Sequence, residues 1–288
     1  QKRHFFMNIR TKILVIFLLT SIPSISIVGM INYENAKNRI TNDALEKLDG
    51  IASVQEKRIE ESIERNFERL DGIKSRTQLR ISLDQFNQNG NSEDMEKIQA
   101  DIDDAKDSIS DIDTVFIINP GGEVIFSTEK SIIGNAMSSE KIFVEGLTKN
   151  TMVFGSNILD NSPELCISGP LILDGQTLGV LVIKVDPRTL LDVSSDYTSL
   201  GDTGETFLAM RHGDGDALFI TPLRFDENAI LNRVILKEQT EVPITHALST
   251  HEETLLSAID YRGESVLAAT RYIESNDWGL VVKIDKDE

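Results

Sequence analysis

The hexapeptide LVIKVD at Leu181–Asp186 recurs as LVVKID at Leu280–Asp285, identical at four of six positions. Each copy closes a similar stretch: CISGPLILDGQTLGVLVIKVD (Cys166–Asp186) in the first case, LAATRYIESNDWGLVVKID (Leu267–Asp285) in the second. The openings match as well. TVFIINPGGEVIFST (Thr114–Thr128) and ETFLAMRHGDGDALFITP (Glu205–Pro222) both read as strand, glycine-bearing turn, strand. Chance supplies a hexamer more readily than the same order of hairpin, intervening segment and closing hairpin twice. A chain so organised folds as two tandem copies of one α/β (α+β) module with antiparallel sheets.

Ahead of the repeat, Asn32 to about Phe86 contains almost no Gly and no Pro. Leu45, Leu48, Ala52, Ile59, Ile63, Phe67, Leu70 and Ile73 trace one stripe at helical spacing between charged faces. Gly50 and Gly72 are its weak points. At 1.5 Å per residue such a helix runs about 80 Å, too long for one small domain to bury. It serves as a coiled-coil stalk, as the spine of the modules, or as both. NGNS (Asn89–Ser92) ends it, and Met95, Ile98, Ile102, Ala105 and Ile109 mark a second amphipathic helix capped by Asn91 or Ser92. The first module then reads as the hairpin, a short helix in SSEKIFVEGL (Ser138–Leu147), and strands MVFGSNI, ELCISGPLIL and TLGVLVIKVD, the last two joined at Asp174-Gly175. DPRTLLDVSSDY, with Asp186 as cap and Pro187 opening a helix, leads into the second.

Ile13–Ile31 is 19 residues without a charge, enough to span a bilayer as a helix. Lys2, Arg3, Arg10 and Lys12 precede it and the first acid, Glu34, follows. This asymmetry places the N-terminus in the cytoplasm and residues 32–288 outside. A cleaved signal peptide is the competing reading, but no A-x-A-like site follows the apolar run. Met7 has the character of a natural start, with Gln1–Phe6 an upstream extension. Beyond residue 31 the chain holds 25 basic and 47 acidic side chains, a net charge of −22 within a total of −18. So acidic a surface repels nucleic acid and anionic lipid. The lone Cys166 excludes an intrachain disulfide and CxxC metal sites, and its apolar surroundings suit a small core residue.

Two further features invite chemistry. GDTGETFLAMRHGDGDALFITPL (Gly201–Leu223) carries four glycines and four acids, yet lacks the Lys-Ser/Thr of a phosphate loop and the closing Glu of a calcium loop. An anion there would meet Asp202 and Glu205, so the stretch reads as turns. The histidines are His4, His212, His246 and His251. His246 and His251, five apart, fall on different faces of a helix, next to Glu252 and Glu253. They read as solvated side chains rather than a zinc pair. Neither G-x-S-x-G nor H-E-x-x-H occurs.

Laid end to end, FIINPGGEVIFST, Gly134, the SSEKIF start, Gly169-Pro170, GQTLGVLVIKVD, LGDTGETFL, ITPLRF, DYRGESVLAATRYI and WGLVVKIDKDE resemble the double Cache sensors. These are tandem PAS-like modules on a long N-terminal helix, outside the membrane in bacterial and archaeal receptors. GDTGET, DYRG and WGLVVKID are most similar to those of sensor histidine kinases. The resemblance implies a division into 1–12 cytoplasmic, 13–31 transmembrane, 32–88 spine helix, 89–186 membrane-distal module and 187–288 membrane-proximal module. It implies an input region without catalysis or cofactor of its own, whose output domain would follow a further span after Glu288. The stripe Ile59, Ile63, Phe67 and Leu70 is long enough to pair with its twin as well as with the module sheets, which predicts a homodimer through the N-terminal helix.

The resemblance also implies a ligand between the central sheet of the first module and a cap formed by about Ser131 to Gly146. The positions expected to face it are Phe126, Ser127, Lys141, Phe143, Phe154, Ser156, Ser168 and Lys184. The amino-acid-binding pattern of such sensors has Arg and an aromatic where this chain has Glu140 and Ile142, and Asp where it has Lys184. That departure argues against ordinary α-amino-acid recognition. Lys184 is either a snorkelling edge residue or a counter-ion for an anion, and its copy Lys283 favours the edge. Should Lys184 or Lys141 point inward, a small carboxylate offsets the desolvation of its ammonium. A membrane-anchored hydrolase and a non-sensing stalk are the alternatives. The first lacks a nucleophile motif, and the second leaves the duplicated modules unexplained.

Overall fold

The computed structural model describes residues 8–109, 111–156 and 162–288. The Met7 start, Lys2, Arg3, His4 and the end of the MVFGSNI strand lie outside them.

The spine and the apolar run form one continuous helix, α1 (Ile9–Lys74), of 66 residues. Its first part, long and apolar enough to cross a membrane, has none of its surface covered by the rest of the chain. The serines there are accommodated within the helix. Ser21, Ser24 and Ser26 donate to the carbonyls of Phe17, Thr20 and Ile22 at 2.7, 2.8 and 2.8 Å, as hydroxyls in an apolar medium must. The helix passes through Gly50 and Gly72 unbroken. It ends instead at Ser75–Arg76, where Arg76 turns extended and reaches Asp104 at 2.6 Å and the Asp101 carbonyl at 3.1 Å. The expected single helix to Phe86 is therefore two, α1 and α2 (Thr77–Asn89), with the extended Arg76 between them bonded to α3 (Ser92–Asp107). Asn91 caps α3, accepting from the Glu93 amide at 3.1 Å.

Two antiparallel sheets follow. The first comprises β1 (Ile112–Ile118), β2 (Val124–Ser127), β3 (Thr151–Ser156), β4 (Pro163–Leu173) and β5 (Gln176–Val185), in the order β2-β1-β5-β4-β3. The second comprises β6 (Glu205–His212), β7 (Asp216–Phe219), β8 (Val234–Ile235), β9 (Thr254–Ile259), β10 (Ser265–Ile273) and β11 (Trp278–Asp285), in the order β8-β7-β6-β11-β10-β9. Apart from the extra β8, each strand of one sheet has its counterpart in the other. Lys184 on β5 lies between Thr114 and Cys166, and Lys283 on β11 lies between Glu205 and Ala268. The repeat read from sequence is thus a repeat of topology and register. Asp174 and Gly175, with φ of 50° and 81°, make the tight β4–β5 turn that only such residues tolerate. Three short helices decorate the sheets: α4 (Lys141–Gly146), α5 (Arg188–Ser195) and α6 (Pro243–Leu248).

The stripe on α1 is shared between the sheets. Leu45, Leu48 and Ala52 pack on Leu267, Ala269 and Val282 of the second. Ile59, Ile63, Leu70 and Ile73 join α2, α3 and the first sheet in one cluster, which also takes in Leu208, Trp278 and Leu280 of the second. Arg271 of β10 adds a polar clamp, 2.7 Å from Asp49, 2.9 Å from the Ser53 hydroxyl and 3.3 Å from Glu56. Replacing Arg271 by Ala removes charge-assisted bonds worth about 1.5–3 kcal/mol each when intact. Amide hydrogen exchange should then quicken over α1 residues 45–56 while residues 59–73 stay protected; uniform exchange along α1 would show that the clamp does not hold this segment.

Candidate ligand site in the first module

The first sheet has one face on the helices and one under a strap that follows β2. Alternation puts Thr114, Lys184 and Cys166 in a row on the strap side, with Phe116 and Glu164 as neighbours. The strap is fastened to the hairpin. The Gly134 amide donates to the Val124 carbonyl (2.8 Å), the Met137 amide to Gly122 (2.6 Å) and the Glu129 amide to the Ser127 hydroxyl (2.9 Å). Gly122, at φ 87°, passes so close to Ser138 that a Cβ would lie 2.6 Å from it. Glu129, Ser131, Ile132, Asn135 and Met137 thus roof the row, enclosing a cavity of about 170 Å³. The rest of this face is closed by α4, seated directly on the sheet. Ser168 donates to the Ile142 carbonyl at 2.6 Å, and a Cβ on Gly146 would meet Ser168 Oγ at 2.5 Å.

The cavity is polar on one wall and apolar on the other, the mixture that orients a small ligand. Lys184 Nζ is 2.9 Å from Glu164 Oε2. Burial would lower the Lys184 pKa, but the hydrogen bond and charge of Glu164 outweigh it, with Glu129 adding, so it is raised. Burial, reinforced by Glu164, pushes the Cys166 thiol up to about 12. It is therefore a protonated wall residue and no nucleophile at neutral pH. Two carboxylates face one ammonium, so the lining carries a net negative charge.

Of the eight positions expected to face the ligand, Lys184 alone lines this cavity. Phe126 is turned away by a bulge: Ile117 pairs with Phe126 and Ile118 with Val124, leaving Ile125 extra and reversing the alternation. Phe126 and Phe154, the latter opposite Leu165, both join the helix-side core. Phe143 is buried with Phe116, Ile118, Val180 and Val182, while Ser168 is covered by α4. Ser127 holds the strap through its hydroxyl. Ser156 is exposed at the end of β3. Lys141 is also exposed, 3.7 Å from Glu145. The residues not foreseen, Thr114, Phe116, Glu129, Ser131, Ile132, Asn135, Met137, Glu164 and Cys166, come from the strap and from strand positions sharing Lys184's face. For the strand residues the signal was period-two spacing on strands adjacent to Lys184. A larger cleft of about 340 Å³ lies between α1 and the module junction, its rim already cross-braced by Arg69–Asp111 (2.6 Å) and Arg188–Asp186.

In the second module the equivalent space is filled by the chain itself. Lys283 is 0% exposed, 3.0 Å from Glu205, 2.8 Å from Asp260 and 3.3 Å from Asp285, and lies over the Phe225 and Tyr261 rings. Lys283 therefore gives no support to the reading of Lys184 as a snorkelling edge residue: it is the hub of a buried charge cluster, and Lys184 itself lies on β5, inside its sheet. Arg262 pairs with Asp260 and Asp285 and stacks on Phe225 at 4.1 Å. Burial would raise Asp260, but Lys283 and Arg262 hold it below the ordinary value. The loop before β6 also departs from expectation. Glu205 turns inward to Lys283, and the amides of Asp202 and Thr203 hold a carboxylate, that of Glu288, at 2.8 and 2.9 Å.

The Cache domain family matches residues 36–288, and the chain belongs to it. The ligand-binding domain of the Campylobacter jejuni chemoreceptor Tlp3, in complex with 4-methylisoleucine, is 14% identical with a TM-score of 0.61, covering 86% of this chain and 92% of that one. The sensor domain of the Vibrio cholerae histidine kinase DctB is 13% identical with a TM-score of 0.61, covering 87% and 99%. The ligand-binding domain of the Pseudomonas fluorescens chemoreceptor CtaA, in complex with L-serine, is 12% identical with a TM-score of 0.57, covering 86% and 99%. No curated protein sequence matches. At these identities the likeness establishes the fold: a long helix carrying PAS-like Cache sensor modules.

The two repeat lysines should respond differently to replacement by Met. Lys283→Met strands buried carboxylates and should cost about 3–5 kcal/mol, whereas Lys184→Met, breaking a partly solvated pair, should cost about 1 kcal/mol or less. Denaturant unfolding at neutral pH measures both, and equal costs would contradict the difference in burial. The Asp260 contribution is complete above the unfolded carboxylate value of 3.8 and is lost as pH falls through the lower folded value.

Proposed function

We propose that residues 32–288 form the extracytoplasmic input region of a transmembrane receptor and bind a small molecule in the first module's cavity. The observation that carries this reading is the contrast between equivalent places: space under the strap in one module, a self-filled charge cluster in the other. The charge asymmetry across residues 13–31 supports the outside placement. The second-module phrases GDTGET, DYRG and WGLVVKID favour a histidine kinase as the output, and no catalysis is assigned to this chain.

The charge of the cavity revises the ligand. The small-carboxylate expectation needed an unpaired lysine facing inward, but Lys184 is neutralised by Glu164 and Lys141 lies outside. Glu129 and Glu164 instead favour a ligand with an ammonium group, as simple amines and zwitterions have. The ligands of Tlp3 and CtaA carry such a group beside a carboxylate. Binding biases the receptor only by the ligand's differential affinity for two states. Thermal-shift screening of the full chain in detergent should find stabilisation by an ammonium compound, lost in Glu164→Gln and Glu129→Gln. Stabilisation by a carboxylate lacking nitrogen, abolished by Lys184→Met, would reverse the assignment, and stabilisation by neither class would remove the site.

The receptor dimerises through α1. Of the stripe Ile59, Ile63, Phe67 and Leu70, expected to serve both a twin and the sheets, Ile59, Ile63 and Leu70 are buried in the chain's own core and Phe67 packs partly buried against it, so the seam lies elsewhere. Tyr33, Ile40 and Val54 are exposed at 67%, 70% and 54% and fall at heptad spacing. Single cysteines along residues 33–54 should crosslink in membranes most strongly at 33, 40 and 54, and Ile40→Cys should react with an impermeant maleimide on intact cells. A flat crosslinking profile would remove the seam, and full protection of Ile40→Cys would invert the topology.

A further inference from the structure

We propose that His246, His251 and Glu253, on the second module, form a binding site for a divalent transition-metal ion of the zinc type. The sequence spacing argues against it, since histidines five apart diverge on a continuous helix. The structure removes that objection. Helix α6 ends at Leu248, Thr250 adopts a left-handed φ of 64°, and the His251 amide donates back to the His246 carbonyl at 3.1 Å. The reversal returns His251 to His246, with ring centroids 6.4 Å apart.

The returning segment is pinned to β10 by a buried threonine. The Thr270 hydroxyl donates to the His251 carbonyl at 2.7 Å and accepts from the Glu253 amide at 3.1 Å, and the Thr270 amide donates to the Glu253 carbonyl at 2.9 Å. The ligands therefore project from fixed backbone.

The hydrogen bonds of His246 set the chemistry. Its Nε2 lies 2.7 Å from the Thr240 carbonyl, which can only accept, so in the neutral ring Nε2 carries the hydrogen. The lone pair of Nδ1 then faces Glu253 Oε1 at 2.8 Å. Two electron-pair donors at that distance share a cation, either a proton or a metal ion. The Thr240 carbonyl is the outer partner that metal-binding histidines use to fix their tautomer. His251 supplies a third donor, and one ligand atom from each residue lies within 4.8 Å of the others. Bonds of about 2.0–2.1 Å to a tetrahedral zinc space its ligand atoms about 3.3 Å apart, so His246 Nδ1 and Glu253 Oε1 separate slightly from 2.8 Å and the His251 nitrogen moves in, which rotation of the exposed His251 side chain permits. Two imidazoles and a carboxylate with an open position suit zinc or cobalt, whereas calcium and magnesium prefer all-oxygen cages. The proposal stands apart from the ligand cavity, sharing no residue with it.

The test uses the full, untagged chain in detergent. Titration with cobalt(II) should give a saturable visible absorption of low-symmetry, tetrahedral type at one ion per chain, displaced by zinc. His251→Ala and Glu253→Gln should abolish the signal with the circular dichroism unchanged. Absence of a saturable cobalt signal would assign the shared cation to a proton and overturn the proposal. Equal binding in both variants would place the ion elsewhere and overturn it as well.

Discussion

Everything in this Cache region hangs on one apolar stripe of α1. A helix of 66 residues has no core of its own, and only packing on the sheets holds its second half against them. Leu45 to Ala52 serve the second sheet and Ile59 to Ile73 the first, so a single rigid element registers both modules. The core is continuous across the junction, because Trp278 and Leu280 of the second sheet enter the cluster under the first. Both modules therefore pack on the helix that carries the apolar N-terminal segment. Arg271, bonded to Asp49, Ser53 and Glu56, adds directionality that apolar contacts lack.

Duplication gave both modules a lysine on the closing strand, and the modules have used it in opposite ways. Around Lys283 the neighbouring strand supplies Glu205, and Asp260, Asp285 and Arg262 complete a cluster that excludes water. A charge so buried is tolerable only when fully paired. Around Lys184 the position matching Glu205 is Thr114, smaller and uncharged, while Cys166 matches Ala268. A single Glu164 balances the ammonium, and the strap from Glu129 to Met137 bridges over the gap. Space beside Lys184 follows from Thr114 standing where the other module has Glu205, and the second acid of the lining, Glu129, comes from the strap. One module keeps a cavity beside its lysine while the other is a solid joint packed on α1.

Much of this was legible in the residues themselves. Period-two and helical spacing, the Asp174-Gly175 turn, the Asn91 cap and the repeated LV(I/V)K(V/I)D strand specify local conformation, because backbone propensity and side-chain alternation act over a few residues. The tandem antiparallel modules, the long helix and the apolar span were therefore readable in advance. The face each residue presents was not, wherever parity depended on a partner strand. Ile125 is bulged because β1 pairs across it, and that one extra residue sends Phe126 to the helices instead of the strap. Likewise Arg76, extended where α1 ends, finds its partner Asp104 on α3, and His251 meets His246 where Thr250 reverses the chain. Charge partnership was the least visible of all. Composition counts Lys184 and Lys283 alike, but pairing with Glu164 and with the Glu205–Asp260 cluster is decided by which distant strands lie alongside, a matter of tertiary register that no local pattern encodes.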